Sequence, residues 1–283
     1  MPWGMQCQVV RSTVPRVLNL RRRLCYTTWR RIAMKLDVLV TPQFLDAEEL
    51  AGCLCAVVDV LRATTTIVTS LVNGATAVYP CLTSDEAKRR AAGHNGPCLL
   101  GGEERGMLIE GFDLGNSPLE YSTDVVGDKG IYFYTTNGSG AIRRAHDATG
   151  RPVCVAAMAN ASAVASHVLN TLTRRQADGA VILCSGRFGK PSAEDTFCAG
   201  VILQTIYDGL RAAGIETDAG DTAAIAMGYT VANRGRAEEV VATSDHGRFL
   251  LSLGFAADLG FCSRKDTHDV VPVFDGDHIA LIA

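Results

Sequence analysis

The stretch "VVDVLRATTTIV", Val57–Val68, passes from an apolar run through Asp59 and Arg62 into three consecutive threonines. A short valine-rich run of this kind reads as a strand buried on both faces, and hydroxyl residues after it suit the first turn of a helix. A strand followed at once by a helix is the repeating unit of an α/β fold. Open α/β sheets hold their ligands at the C-terminal ends of strands, which is where Asp59 and Arg62 fall. Taken alone, the two read more readily as a buried ion pair than as a site. The rest of the chain decides between these readings.

From Met34 onward the same alternation repeats. Strands are expected at 36–41, 54–60, 77–81, 98–100, 131–135, 153–157 and 180–184, with a late one in "DVVPVF". Helices are expected at 63–73, 84–92, 140–148, 162–173, 193–212, 221–232 and 244–253. Thr83 or Ser84 caps the second of these ahead of acidic first-turn residues. The pattern predicts an α/β fold with buried, largely parallel strands. No fixed repeat and no Pro/Ser linker divides it, so residues 34–283 are read as one unit, with two lobes as a variant.

The composition limits the functions open to the chain. Of 283 residues, 47% are hydrophobic and 20% charged, with a formal net charge of −3. That describes a globular protein, and no sustained basic run outside the N-terminus invites nucleic acid. Apolar stretches break well before membrane-spanning length. The ten cysteines lie scattered through strand-like runs, which reads as buried thiols in a reducing cytoplasm. Cys53 and Cys55 lack a second pair at zinc-site spacing. Residues 1–33 stand apart, with seven arginines and no Asp or Glu. They read as an organelle transit peptide or as untranslated sequence upstream of a misassigned start, the latter favoured by the strand that begins at Met34.

Four further segments put polar residues at strand ends. "TTNGSGA" (135–141) lets the backbone of a helix start approach an anion, although a plain tight turn would use the same residues. "CSGRFGKPSAEDT" (184–196) combines Arg187 and Lys190, suited to phosphate, with Glu194 and Asp195, suited to a divalent cation. A P-loop would need Gly at the position of Cys184 and Ser or Thr at that of Pro191. A C-x5-R phosphatase loop would need Arg where Lys190 stands. "GGEERG" (101–106) sets Glu103, Glu104 and Arg105 among glycines, and "GNSP" (115–118) adds Asn116 and Ser117. Haloacid-dehalogenase phosphatases require a second aspartate where Leu61 stands. Carboxylates without Cys/His spacing favour a hard ion, Mg²⁺ first and Mn²⁺ second. Carboxylates beside cations suit a phosphate ester.

In this order and spacing, "VDVLRATTT", "GGEERG", "GFDLGNSP", "TTNGSGA" and "CSGRFGKPSAEDTFCAG", with the later "SDHGRFLLSLGFAADLGFC", resemble the 2-phosphosulfolactate phosphatase family. The resemblance implies a three-layer α/β/α fold with a mostly parallel or mixed sheet. It also implies a Mg²⁺-dependent phosphatase converting 2-phospho-3-sulfolactate to 3-sulfolactate and phosphate, a step in coenzyme M biosynthesis. The alternatives are a phosphatase of the same family acting on another 2-phospho hydroxy acid, and a non-catalytic anion-binding module. On the first reading the partner is a small anion carrying phosphate, carboxylate and sulfonate, and a cytoplasmic homo-oligomer is compatible with it.

The expected roles follow. Asp59, Glu194 and Asp195 hold the metal, and Asp59, Arg62, Glu103, Glu104 and Arg105 are catalytic. Thr64, Asn116, Ser117, Thr136, Asn137, Gly138, Ser139, Arg187 and Lys190 bind substrate. The nucleophile is water or the Asp59 carboxylate, with water favoured. His246 and Asp258 read as a helix-terminal residue and a core polar contact.

Overall fold

The structure, a computed structural model, describes residues 33–282, so the arginine-rich segment lies outside the described residues apart from Ala33. Ten strands form one sheet: β1 (Met34–Leu39), β2 (Cys53–Val58), β3 (Ala77–Cys81), β4 (Cys98–Gly102), β5 (Gly130–Tyr134), β6 (Val153–Ala156), β7 (Gly179–Cys184), β8 (Thr217–Ala219), β9 (Pro272–Phe274) and β10 (Ile279–Leu281). Their order is β4-β5-β3-β10-β9-β6-β2-β7-β1-β8.

The helices are α1 (Ala47–Leu50), α2 (Ala63–Val72), α3 (Ser84–Ala92), α4 (Thr123–Val126), α5 (Gly138–Thr149) and α6 (Ala161–Thr173). They continue with α7 (Ala193–Ala212), α8 (Asp221–Ala232), α9 (Ala237–Thr243), α10 (Asp245–Ser252) and α11 (Ala256–Cys262). Thr83 caps α3, its hydroxyl accepting from the Glu86 N–H.

Central strand β2 shows why the run around Val57 is apolar throughout. Leu54, Ala56 and Val58 face a core built with α6, α7 and α8, whereas Cys55 and Val57 face a second core with α2 and α5. Alternate side chains point to opposite faces of a sheet, so a strand covered on both sides has no polar face. Helices thus flank a mixed, mostly parallel sheet on both faces.

The sheet is mostly parallel and mixed, as expected, with the antiparallel pairings confined to one place. β6, β2, β7, β1 and β8 are mutually parallel, as are β4, β5 and β3, but β9 and β10 join the two sets through antiparallel pairings. Strand twist of about 20–25° per neighbour turns β5 by more than about 90° relative to β2. That rotation lets the C-terminal ends of both sets border a common cleft. β2 also stops at Val58 rather than Val60, which leaves Asp59 as the first residue past the strand.

Candidate active site

The three threonines after Asp59 hold the turn together. Thr64 Oγ1 accepts from the Asp59 N–H (3.0 Å) and donates to the Asp59 carbonyl (2.9 Å). Thr65 Oγ1 donates to the Val60 carbonyl, and Thr66 Oγ1 to that of Asn116, each at 2.9 Å. All three are buried. Asp195, in the first turn of α7, secures the neighbouring strand end. Its Oδ1 accepts from the Val60 N–H (2.8 Å), and its Oδ2 from the Gly186 N–H (3.1 Å) and the Ser192 hydroxyl (2.7 Å). The exits of β2 and β7 are therefore tied by one carboxylate.

Asp59, Arg62, Glu103, Arg105, Asn116, Thr136, Asn137 and Arg187 line one cleft. Its inner volume is about 20 Å³, room for a water or a small ion. Arg187, Phe188 and His246 also border an adjoining hollow of about 440 Å³, where Lys190 stands.

Negative charge is crowded at the inner end. Burial, with Asp195 and Glu103 nearby, raises the Asp59 carboxyl well above its ordinary range. Burial and the adjacent Glu194 push Asp195 up to about 7. Glu103 accepts from the Thr136 N–H at Oε1 (2.8 Å), and at Oε2 from the Gly106 N–H (2.5 Å) and the Thr136 hydroxyl (3.2 Å).

Among the described residues, four buried side-chain oxygens have no hydrogen-bond partner: Asn116 Oδ1, Ser185 Oγ and both oxygens of Glu194. Asn116 lines the cleft, and Ser185 lies beside the Asp59 carboxylate. Glu194 is 1% exposed. His246 Nδ1 lies 3.4 Å from its Oε1 but without hydrogen-bond alignment. Unsatisfied buried oxygens are costly, and a hard cation with its water shell is what such atoms accept.

The expected metal trio does not converge, and no three His, Cys, Asp or Glu among the described residues do. Asp195 has three of its about four acceptor sites filled by Val60, Gly186 and Ser192. Asp59 has one long bond, from the Ala63 N–H at 3.3 Å. Mg²⁺ takes one or two carboxylates and keeps several waters, and in the cleft Asp59 with Asn116 Oδ1 and the neighbouring Ser185 Oγ offers oxygens of the kind it takes.

The cations divide into two kinds. Arg62 is 2% exposed, paired with Asp258 at 2.6 Å and stacked on Phe255 at 4.1 Å. Among the described residues, Arg105, Arg187 and Lys190 have no acidic partner. Arg187 stacks on Phe249 at 4.1 Å.

Several residues expected in the site serve the scaffold. Ser117 Oγ donates to Asp258 (2.7 Å), and Ser139 exchanges bonds with Thr135 at the start of α5. Gly138 is required by space, since a Cβ there would lie 2.4 Å from the Ala63 Cβ and 2.8 Å from Asp59 Oδ2. Thr64 is taken by the turn, and Glu104 is exposed and outside the cleft lining. Sequence reasoning missed Phe188, His246, Phe249 and Leu250 as cleft residues. Only the run "SDHGRF" in a chain otherwise sparing of histidine hints at them.

The family model described as 2-phosphosulpholactate phosphatase matches residues 39–277. A probable 2-phosphosulfolactate phosphatase of Symbiobacterium thermophilum is 42% identical over 237 residues, covering 83% of this chain and 97% of the relative. Proteins of the same description from Pseudothermotoga lettingae (37% over 243 residues, 86% and 96%) and Clostridium acetobutylicum (32% over 246 residues, 87% and 100%) align similarly. The matched span takes in β2 through β9 and every residue that lines the cleft, and the chain belongs to the 2-phosphosulpholactate phosphatase family.

Proposed function

We propose that this chain is a Mg²⁺-dependent phosphatase that hydrolyses 2-phospho-3-sulfolactate to 3-sulfolactate and phosphate. The observation that carries the reading is the meeting, in one narrow cleft, of buried carboxylates with two arginines lacking acidic partners among the described residues. Phosphoryl transfer depends on positioning and charge neutralisation more than on a covalent partner, and this arrangement supports both.

Asp59 would hold Mg²⁺, with Asn116 Oδ1, Ser185 Oγ and Glu194 as further oxygen donors. When bound, the ion neutralises phosphate charge and activates water. The chain's own residues draw the anion in through Arg105 and Arg187. Asp195 fixes the spacing of the two strand ends, and Glu103 fixes the turn that carries Arg105. Water, rather than Asp59, is the nucleophile in this reading, because a carboxylate engaged with a metal is not free to attack and a bound metal activates water. The eight described cysteines are all free, which supports a reducing, cytoplasmic setting.

Phosphate release from 2-phosphosulfolactate, 2-phospholactate and 2-phosphoglycerate tests the assignment. The sulfonated substrate is expected to lead in kcat/KM by more than about tenfold, as a site built to bond a polar group discriminates against its absence. Equal turnover of all three would reject it.

A further inference from the structure

Helix α8 is apolar on every side, although it lies at the surface. Its inner residues Ala223 and Ala226 are buried, and Thr230 Oγ1 donates to the Phe197 carbonyl of α7 (2.9 Å). Its outer residues Ala224, Ile225, Gly228, Val231 and Ala232 are exposed, Ile225 by 67% and Val231 by 52%. A surface helix ordinarily turns charged residues outward, and none stands between Asp221 and Arg234 here. α8 follows β8, the strand that ends the sheet on that side, so it sits at a margin of the sheet. A contiguous apolar face in such a place marks an interaction surface.

The face has the symmetry needed to pair with itself. Ile225 and Val231 stand three positions to either side of Gly228, and Ala224 and Ala232 stand four. When two copies of one helix cross antiparallel on a two-fold axis at Gly228, each residue meets the one equally far on the other side. Ile225 then faces the partner's Val231, Ala224 faces the partner's Ala232, and glycine faces glycine. A Cβ at Gly228 would meet nothing within 4 Å among the described residues, so the missing side chain serves no contact there. A glycine in an exposed helix interior costs stability relative to alanine, and close approach of a second backbone is a use for it. The ends match as well. Asp221 opens α8 and Arg234 lies just past its end, both exposed and neither in an ion pair among the described residues. In the antiparallel crossing each Asp221 comes beside the partner's Arg234, so opposite charges flank the apolar centre at both ends.

We infer that α8 is a homodimerisation surface, on which two copies of this chain pair through an antiparallel crossing at Gly228. No residue of α8 lines the catalytic cleft, so the pairing stands apart from the chemistry proposed above. A helix of 12 residues spans about 18 Å. Such a face is at the small end of specific interfaces, and the dimer is expected to depend on concentration.

Sedimentation equilibrium of the full chain over a range of concentrations tests this, with Gly228→Glu, Asp221→Arg and Arg234→Asp. The parent is expected to reach twice the chain mass as concentration rises. Gly228→Glu puts two carboxylates into the crossing and is expected to weaken association by about 10²-fold or more. Each charge reversal sets like charges together at both ends and is expected to weaken it by about tenfold. An equimolar mixture of Asp221→Arg and Arg234→Asp chains is expected to associate as tightly as the parent, because the two variants present opposite charges to each other at both ends. A parent that stays monomeric at every concentration would give the face to a partner of another kind and overturn the pairing. So would a dimer that Gly228→Glu leaves intact, or a mixture no tighter than its components.

Discussion

Arg62 carries a full charge at 2% exposure, and the fold supplies it with Asp258, Phe255 and the Gly106 carbonyl. Removing one partner of a buried pair leaves the other uncompensated, so Arg62→Met is expected to destabilise the protein by about 3–5 kcal/mol. The double variant Arg62→Met with Asp258→Leu is expected to recover part of that loss. Urea unfolding of both would show it, and a double variant no more stable than the single one would contradict the account. The sequence suggested a buried ion pair at Arg62 but offered the wrong partner. Asp59 is near in the chain, whereas Asp258 is brought up by a helix 196 residues away, and no local pattern encodes such a contact. The free arginines were legible because glycine-flanked charges at strand ends seldom serve packing.

At the scale of elements, the packing of α5 on β2 and α2 distinguishes two glycines in "NGSG". Gly138 has no room for a methyl group, whereas a Cβ at Gly140 meets nothing within 4 Å. Gly138→Ala is expected to destabilise by roughly 1–3 kcal/mol and to disturb Asp59, while Gly140→Ala is expected to gain up to about 1 kcal/mol. Thermal melting of the pair would check this, and equal effects would contradict it. Long elements with strong patterns were readable to the residue: α3, α7 and α8 occupy the spans expected. The elements missed were β8 and β10, of three residues each, and the short helices α1, α4, α9 and α11. Periodicity over so few residues carries little information, and such pieces form only because neighbours cover them.

For the molecule as a whole, the carboxylate crowding couples stability to pH and to cations. Asp195 is raised from 3.8 to about 7, and Asp59 is raised as well. A carboxyl whose native pKa exceeds its unfolded value favours the protonated native state. Its contribution is complete below about pH 4 and is lost as pH rises through about 7, on the order of 4 kcal/mol for Asp195. The metal-free protein is therefore expected to lose stability between pH 5 and pH 8, by roughly 2–3 kcal/mol, with a matching fall in melting temperature. Mg²⁺ should restore it most at the upper end, through binding to the native state alone. A melting temperature insensitive to both would contradict the electrostatic account. The mostly parallel, mixed sheet was expected, but not where its antiparallel pairs fall, because pairing direction there depends on β9 and β10 being inserted between two parallel sets. Spacing along the chain does not encode that. The central claim, a Mg²⁺-dependent phosphatase centred on Asp59, meets its most direct test in phosphate release from 2-phospho-3-sulfolactate with Mg²⁺, with EDTA, and with Asp59→Asn. Release is expected with Mg²⁺, abolished by EDTA and reduced by about 10²-fold or more in the variant; release that survives EDTA, or an Asp59→Asn protein as active as the parent, would contradict it.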